Sequence, residues 1–280
     1  MKKVSDILSF FLKELNGYYP EKEIKSLFYI SIDHLLGYSK SDTIIKSENE
    51  LLPDFKIEFS EIVERLQKKE PIQYILMETT FYGLPFFTRR GVLIPRPETE
   101  ELVDWIIKDN ENLEKRYLDI GTGSACIIIS HAKNLNGSFY AIDVSPDALR
   151  EAKQNVKRNN VDVNLEQFDI LDSDLDGLWD VIVSNPPYVL ESERKYMQQN
   201  VLAWEPKIAL FVRDETPLLF YERIADQSTK VLNKNGILYF EINEKYGKET
   251  VDMLAQKGFV NIELKKDIND KDRMVKAMWK

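Results

Sequence analysis

Apolar residues recur every three or four positions through the first part of the chain: Val4, Ile7, Leu8, Phe11, Leu12 and Leu15, then Ile24, Leu27, Phe28, Ile30, Ile32, Leu35 and Leu36, and later Phe55, Phe59, Ile62, Val63 and Leu66. That spacing gathers apolar side chains on one face of a helix. Gly17 with Pro20, Gly37 and Pro53 interrupt the series, and Pro71 closes it. The pattern predicts several helices packed as a small bundle. The rhythm then changes. The stretch "TTFYGLPFFTRRGVLIPRPETEELVDW" is rich in aromatic and β-branched residues broken by Gly83, Pro85 and Gly91, and it predicts a β-hairpin followed by a helix from Pro97.

From residue 116 onward, strand-like runs alternate with helical ones. "RYLDI", "SFYAID", "VNLEQFD", "WDVIVS" and "GILYFEI" read as strands, and two more are expected near 259–265 and 273–279. Helices are expected from about 123, from Pro146 with Ser145 as N-cap, over about 215–233, and once more after "GILYFEI". Such alternation builds an α/β domain, a mostly parallel sheet with helices on both faces. The expected organisation is a helical domain over 1–72, a hairpin-bearing linker over 73–95 and the α/β domain over 96–280. Ligands of such sheets sit beyond the carboxyl ends of the strands.

Composition narrows the possibilities. No apolar run approaches the length of a membrane span. The opening "MKKVSDILSFFLKELNG" resembles a signal peptide only until Asp6, Lys13 and Glu14 interrupt it at amphipathic spacing, with no small-residue cleavage site after it. One cysteine, Cys126, permits no intramolecular disulfide, and His34 and His131 are too few and too far apart for a Cys/His zinc site. A cytoplasmic, reduced, metal-free protein is expected. The net charge of −9 lacks the basic footprint of a protein that grips duplex nucleic acid by its phosphates.

The chemistry gathers where strands end. "YLDIGTGSACII" turns from strand to helix through Gly121 and Gly123, and residues without a Cβ let backbone turn tightly beside a ligand. A nicotinamide dinucleotide is the obvious competitor, but its fingerprint wants a third glycine at position 126, where Cys126 stands. Asp119 instead offers a carboxylate suited to a cationic amine. Asp143 ends the next strand, 22 residues beyond Gly121, in place to accept from two ribose hydroxyls. Asp169 ends the strand after that, a candidate acceptor for an adenine amino group. Three acids at successive strand ends describe a nucleoside that lacks phosphates and carries an amino acid. S-adenosylmethionine fits that description.

The fourth strand ends in Asn185-Pro186-Pro187-Tyr188. With this tetrapeptide the chain resembles the class I S-adenosylmethionine-dependent methyltransferases that modify planar amino groups. From about residue 71 onward, "PIQYI", "FYGLPF", "LIPRPETEELVDW", "LDIGTGS", "SNPPYV", "WEPKIAL" and "KDRMVKA" are similar, in that order, to the PrmC/HemK family, the peptide chain release factor N5-glutamine methyltransferases. The tetrapeptide is shared with DNA adenine methyltransferases, whereas "IPRPETE" is not. The resemblance implies a Rossmann-like, mostly parallel seven-stranded sheet with an N-terminal helical substrate-docking domain. It implies S-adenosyl-L-methionine as cofactor, S-adenosyl-L-homocysteine as product, and methylation of the glutamine in the Gly-Gly-Gln motif of class-1 release factors, supporting translation termination. It also implies that Gly121, Thr122, Gly123, Ser124 and Ala125 wrap the cofactor, that Asp119 faces its methionine part, Asp143 its ribose and Asp169 with Ile170 its adenine, and that Thr99 and Asn185 touch it. Asn185, Pro186, Pro187 and Tyr188 would grip the glutamine.

Each proline fixes its own φ and holds the residue before it extended, so the tetrapeptide forms a stiff frame. The Asn185 side-chain oxygen and the Pro186 carbonyl would each accept one hydrogen of the substrate amide, favouring a pyramidal nitrogen aimed at the methyl group. Tyr188 would pack its ring on the amide. The sequence departs from the family pattern at Ala125, where Gly is usual, at Met77, near which a Gly is usual, and at Asn243 in "EINEKYG", where Glu-Ile-Gly is common. Ala125 would bear on cofactor affinity, and the other two are expected to lie outside the chemistry. Two alternatives remain: an adenine N6-methyltransferase acting on nucleic acid, and a non-catalytic S-adenosylmethionine-binding docking module.

Overall fold

In the computed structural model, which describes residues 1–280, the N-terminal rhythm becomes five helices: α1 (Val4–Glu14), α2 (Glu21–Leu36), α3 (Lys40–Ile45), α4 (Pro53–Gln67) and α5 (Ile72–Leu76). Met1–Met77 with Gln199–Trp204 form one unit; Glu78–Gln198 with Glu205–Lys280 form the other. In the first unit the apolar faces meet. Ile7 and Phe11 of α1, Phe28 and Ile32 of α2, and Phe59 and Leu66 of α4 share one buried cluster, with Phe11 edge-on to both Phe28 and Phe59. Pro71 does not end the helical region but caps the start of α5, where a missing N–H costs little. Arg65 ties α5 down: its guanidinium donates to both oxygens of Glu70, at 2.7 and 2.6 Å, and to the Ile75 carbonyl at 3.1 Å. Met77 follows α5 with φ +57, a left-handed backbone that accounts for a glycine preference near this position. No helix of the protein is long and apolar enough to cross a membrane.

The second unit opens with the expected hairpin, β1 (Glu78–Phe81) and β2 (Leu84–Phe87), turning through Tyr82 and Gly83 at positive φ, the backbone that a two-residue hairpin turn demands. Then come α6 (Pro97–Asn110), β3 (Glu114–Ile120), α7 (Cys126–Asn134), β4 (Asn136–Asp143), α8 (Pro146–Asn159), β5 (Asn164–Gln167), β6 (Trp179–Ser184) and β7 (Val189–Leu190). After α9 (Gln199–Trp204), the chain continues through β8 (Phe211–Val212), α10 (Leu219–Val231), β9 (Leu232–Glu241), α11 (Gly247–Gln256), β10 (Val260–Lys266) and β11 (Asp272–Met278). Seven strands form one sheet in the order β10-β11-β9-β6-β3-β4-β5, in which only β11 runs against the others. Alternate strand residues feed two cores. Tyr117, Val181, Val183 and Tyr239 pack with α6, α7 and α8 on one face, and Leu118, Ile120, Ile182 and Phe240 pack with α10 and α11 on the other.

The chain steps outward from β3 to β4 and β5, then returns to lay β6 on the opposite side of β3. A crevice opens at such a reversal, at the carboxyl ends of the strands. Boundaries near it differ from the sequence reading for local reasons. Strand β5 stops at Gln167, before Asp169, because Asp169 turns its carboxylate onto the Leu171 N–H at 2.9 Å. Helix α7 begins at Cys126 rather than near 123, because Gly123 and Ala125 adopt positive φ. Helix α10 is shorter than expected because β9 already begins at Leu232. The two-residue pair β7–β8, just past the tetrapeptide, is too short to carry a pattern.

Candidate active site

At the crevice lies a cavity of about 240 Å³, lined chiefly by residues 91–96, 121–124, 143–145, 168–171 and 184–187, with Thr99, Phe220 and Ile224. One wall is built from backbone. Gly121 and Gly123 turn at φ +73 and +56, and the N–H groups of Gly121 and Thr122 both donate to the Ile142 carbonyl, at 2.9 and 3.1 Å. Gly123 N–H donates to Asp143 Oδ2 and Ser145 N–H to Oδ1, each at 2.8 Å. A carboxylate offers about four lone-pair sites, so Asp143 is held by both oxygens and still has acceptor capacity toward the cavity. Burial pushes its pKa up while the backbone donors pull it back. Asp169 is fixed through Oδ1 alone. Beside it, Phe168, Ile170, Leu171 and Phe220 make an apolar shelf.

Not every sequence-predicted residue reaches the cavity. Asp119 is fully buried behind the wall, its Oδ2 accepting from the Thr122 hydroxyl at 2.6 Å, while Thr122 itself lines the cavity. Burial pushes the Asp119 pKa up to about 7; the Thr122 bond lowers it and the nearby Asp143 charge raises it. Ala125 also sits behind the wall, buried in the core, so its methyl shapes the turn rather than meeting a ligand. Thr99, Gly121, Thr122, Gly123, Ser124, Asp143, Asp169, Ile170, Asn185, Pro186 and Pro187 are brought together around the cavity; Tyr188 is set back.

The opposite wall is built from side chains. Asn185 Nδ2 donates to Thr99 Oγ1 at 3.2 Å, Thr99 donates to Glu241 Oε2 at 2.6 Å, and the Tyr188 hydroxyl donates to Glu241 Oε1 at 3.1 Å. Ser184, the last residue of β6, donates to the Ile120 carbonyl at 2.7 Å, fixing the strand from which the tetrapeptide leaves. Burial pushes the Glu241 pKa up, while the two hydroxyls and the Arg273 charge draw it down. Asn243, expected to lie outside the chemistry, is one bond from it: its Nδ2 donates to the Tyr188 carbonyl at 3.0 Å and to Glu193 at 3.1 Å.

The sequence reading overlooked Glu241, Arg96 and Glu205. Glu241 closes β9 as Asp143 closes β4, and the same strand-end rule points to it. Arg96 Nη2 donates to both oxygens of the buried Glu205, at 2.7 and 2.8 Å, which fastens the 91–96 stretch along the cavity. Both residues lie inside quoted motifs, yet a pair 109 positions apart carries no local signal.

S-adenosylmethionine fits this donor set. Two carboxylates facing the cavity would repel a pyrophosphate but accept from hydroxyls and amino groups, and the apolar shelf suits a planar base.

Comparison with known proteins is consistent across the chain. Residues 99–207 match the family model described as the methyltransferase small domain, and residues 8–76 match the PrmC N-terminal domain. The release factor glutamine methyltransferase of Flavobacterium psychrophilum is 46% identical over 276 residues, covering 96% of this chain and 97% of that protein. The release factor glutamine methyltransferase of Bacteroides thetaiotaomicron is 43% identical over 274 residues, covering 97% and 98%. Among solved structures, a methyltransferase from Pyrococcus furiosus shares the fold, with a TM-score of 0.53 at 18% identity over 77% of this chain and 96% of that one.

Proposed function

Since the chain belongs to the release factor glutamine methyltransferase family, we propose that it transfers a methyl group from S-adenosylmethionine to the side-chain amide nitrogen of the glutamine in the Gly-Gly-Gln motif of class-1 release factors, holding that amide on residues 185–188. The observation that carries this reading is the direction of the Asn185 amide. Its Nδ2 is committed to Thr99, so Oδ1 is the atom left to accept.

An amide nitrogen is a poor nucleophile because its lone pair is delocalised into the carbonyl. Asn185 Oδ1 and the Pro186 carbonyl accept the two N–H groups of the glutamine, and two fixed acceptors favour the pyramidal nitrogen whose lone pair is available. Bound in the cavity, S-adenosylmethionine supplies an electrophilic methyl group on a sulfonium centre. Asp143 takes the ribose hydroxyls and Asp169 with Ile170 the adenine, on the glycine turn of residues 121–124. Asn185 sits at the junction of the two ligands. Tyr188, set back with its hydroxyl held by Glu241, anchors the tetrapeptide from behind. No dedicated base is required, because the methylated nitrogen becomes acidic enough to release its proton afterward.

The test is transfer of a labelled methyl group from S-adenosylmethionine to three substrates: purified release factor, its variant with the loop glutamine replaced by alanine, and unmethylated duplex DNA. Label on the intact factor alone is expected. Label on the glutamine-less variant, or on DNA, would overturn the glutamine assignment.

A further inference from the structure

From the chain of bonds Asn185–Thr99–Glu241–Tyr188 we infer that Glu241 is a positioning residue for methyl transfer, whose carboxylate fixes the direction of the Asn185 amide through Thr99 and anchors Tyr188 directly. The inference rests on the reading of Asn185 as the acceptor for the substrate amide. Glu241 closes its strand as Asp143 does, but it reaches the cavity only through Thr99.

A hydroxyl has one proton to give, and a carboxylate has none. With Glu241 Oε2 at 2.6 Å, the Thr99 proton is spent on Glu241, so Thr99 Oγ1 can only accept from Asn185. The Asn185 amide must therefore present its NH₂ to Thr99 and its oxygen to the cavity. Without the carboxylate, Thr99 is free to donate instead. The Asn185 oxygen would then turn toward Thr99 and its NH₂ toward the substrate, setting donor against donor. An asparagine side chain is nearly symmetric in shape, so packing alone does not choose between the two orientations; the protonation pattern behind it does.

The second arm works in parallel. Tyr188 gives its proton to the other oxygen of the same carboxylate, at 3.1 Å. One residue thus governs both ends of the tetrapeptide. Glu241 is 1% exposed, and its surroundings are arranged around a negative charge. Arg273 on β11 faces it favourably, and Thr99 and Tyr188 donate to it; Glu98 on α6 opposes them, and Tyr221 on α10 and Cys126 on α7 stand nearby. A buried carboxylate without such donors would be costly. With them it is a fixed acceptor.

The experiment compares Thr99→Val, Thr99→Ser, Glu241→Leu and the Thr99→Val/Glu241→Leu double variant with the wild-type protein. The readouts are kcat and KM for release factor at saturating S-adenosylmethionine, together with calorimetric affinity for S-adenosylhomocysteine. Thr99→Val keeps the shape and removes the hydroxyl, and is expected to lower kcat about tenfold or more while the affinity for S-adenosylhomocysteine stays within about twofold. Thr99→Ser keeps the hydroxyl and should retain kcat within about threefold of wild type. Glu241→Leu should lose at least as much as Thr99→Val, and the double variant no more than Glu241→Leu, because both act through one chain of bonds. Equal kcat in Thr99→Val and Thr99→Ser, losses that multiply in the double variant, or a loss seen only in S-adenosylhomocysteine affinity would each overturn the inference. Should Glu241→Leu fail to fold, the Val and Ser variants of Thr99 decide alone. Wild-type failure to methylate release factor would instead remove the reading of Asn185 on which the inference rests, and the wild-type arm keeps the two failures apart.

Discussion

Asp143 and Asn185 face the same cavity, yet they are held there by different means. Asp143 is gripped by the N–H groups of Gly123 and Ser145, and Asp169 by the N–H of Leu171. These donors belong to the turns that end the strands, so the fold itself sets the carboxylates. Asn185 depends on side chains from elsewhere in the chain: Thr99 on α6, 86 positions away, and through it Glu241 on β9, a further bond spanning 142 positions. Backbone contacts suit a wall whose task is to bind a ligand of constant shape. Side-chain networks suit a wall that must fix the direction of one amide, because their hydrogen positions carry direction that backbone geometry does not.

The sharpest way to break this comparison is Asn185→Ala. It should lower kcat roughly 100-fold or more and leave cofactor affinity nearly unchanged, measured by steady-state kinetics and calorimetry on one preparation. The converse is Asp143→Ala, which removes the ribose acceptor and should weaken cofactor affinity about 10- to 100-fold, most of the rate returning at saturating cofactor. A rate that stays low at saturation would show that Asp143 also serves the reaction.

Behind the backbone wall, Asp119 provides a test by pH. Its folded-state pKa is pushed up to about 7 by burial, above the ordinary carboxylate value. Between about pH 4 and pH 7 the folded state therefore holds a proton that the unfolded state has released. Asp119 thus makes stability fall as pH rises through that window, and the loss is complete above it. Asp119→Asn should remove this fall, making the cofactor-free protein roughly 4 kcal/mol more stable than wild type near pH 8, at about 1.4 kcal/mol for each pH unit of that window, and little different near pH 4. Chemical denaturation at the two pH values reads this directly, and a difference that does not vary with pH would contradict it.

The smallest effects concern left-handed backbone. Met77 is exposed at φ +57 and Ala125 buried at φ +64. Replacing Met77 with Gly should raise stability by about 1 kcal/mol, since left-handed strain is relieved and no buried contact is lost. At Ala125 the same relief of about 1 kcal/mol is offset by about 0.8 kcal/mol for losing one buried methyl. Ala125→Gly should therefore leave both thermal stability and cofactor affinity close to wild type.

The same contrast governs what could be read from sequence. The sheet, its helices and the three acids were legible, because each rests on local signals: apolar periodicity, a Ser-Pro start such as Ser145-Pro146, and an acid closing a strand. That Asp119 lies behind the wall was not legible, because one step along a strand reverses the facing side and only packing decides how deep it sits. Asn243 stands outside the cavity lining, as expected, but its link to the tetrapeptide was not legible for a related reason. Its bond to the Tyr188 carbonyl joins two strand ends that lie 55 positions apart. Thr99 stood inside a recognisable motif, but its place as a relay between Asn185 and Glu241 exists only once α6, β6 and β9 have been brought together.

The most direct test of the division between the two walls is a double-mutant cycle of Asn185→Ala and Asp143→Ala, following kcat and cofactor affinity in all four proteins. Walls with separate tasks predict that the double variant shows the rate loss of one and the affinity loss of the other, with each deficit close to that of its single variant. A double variant no worse than either single, or both deficits appearing in one constant, would show that the cavity works as one coupled unit and that the division is wrong.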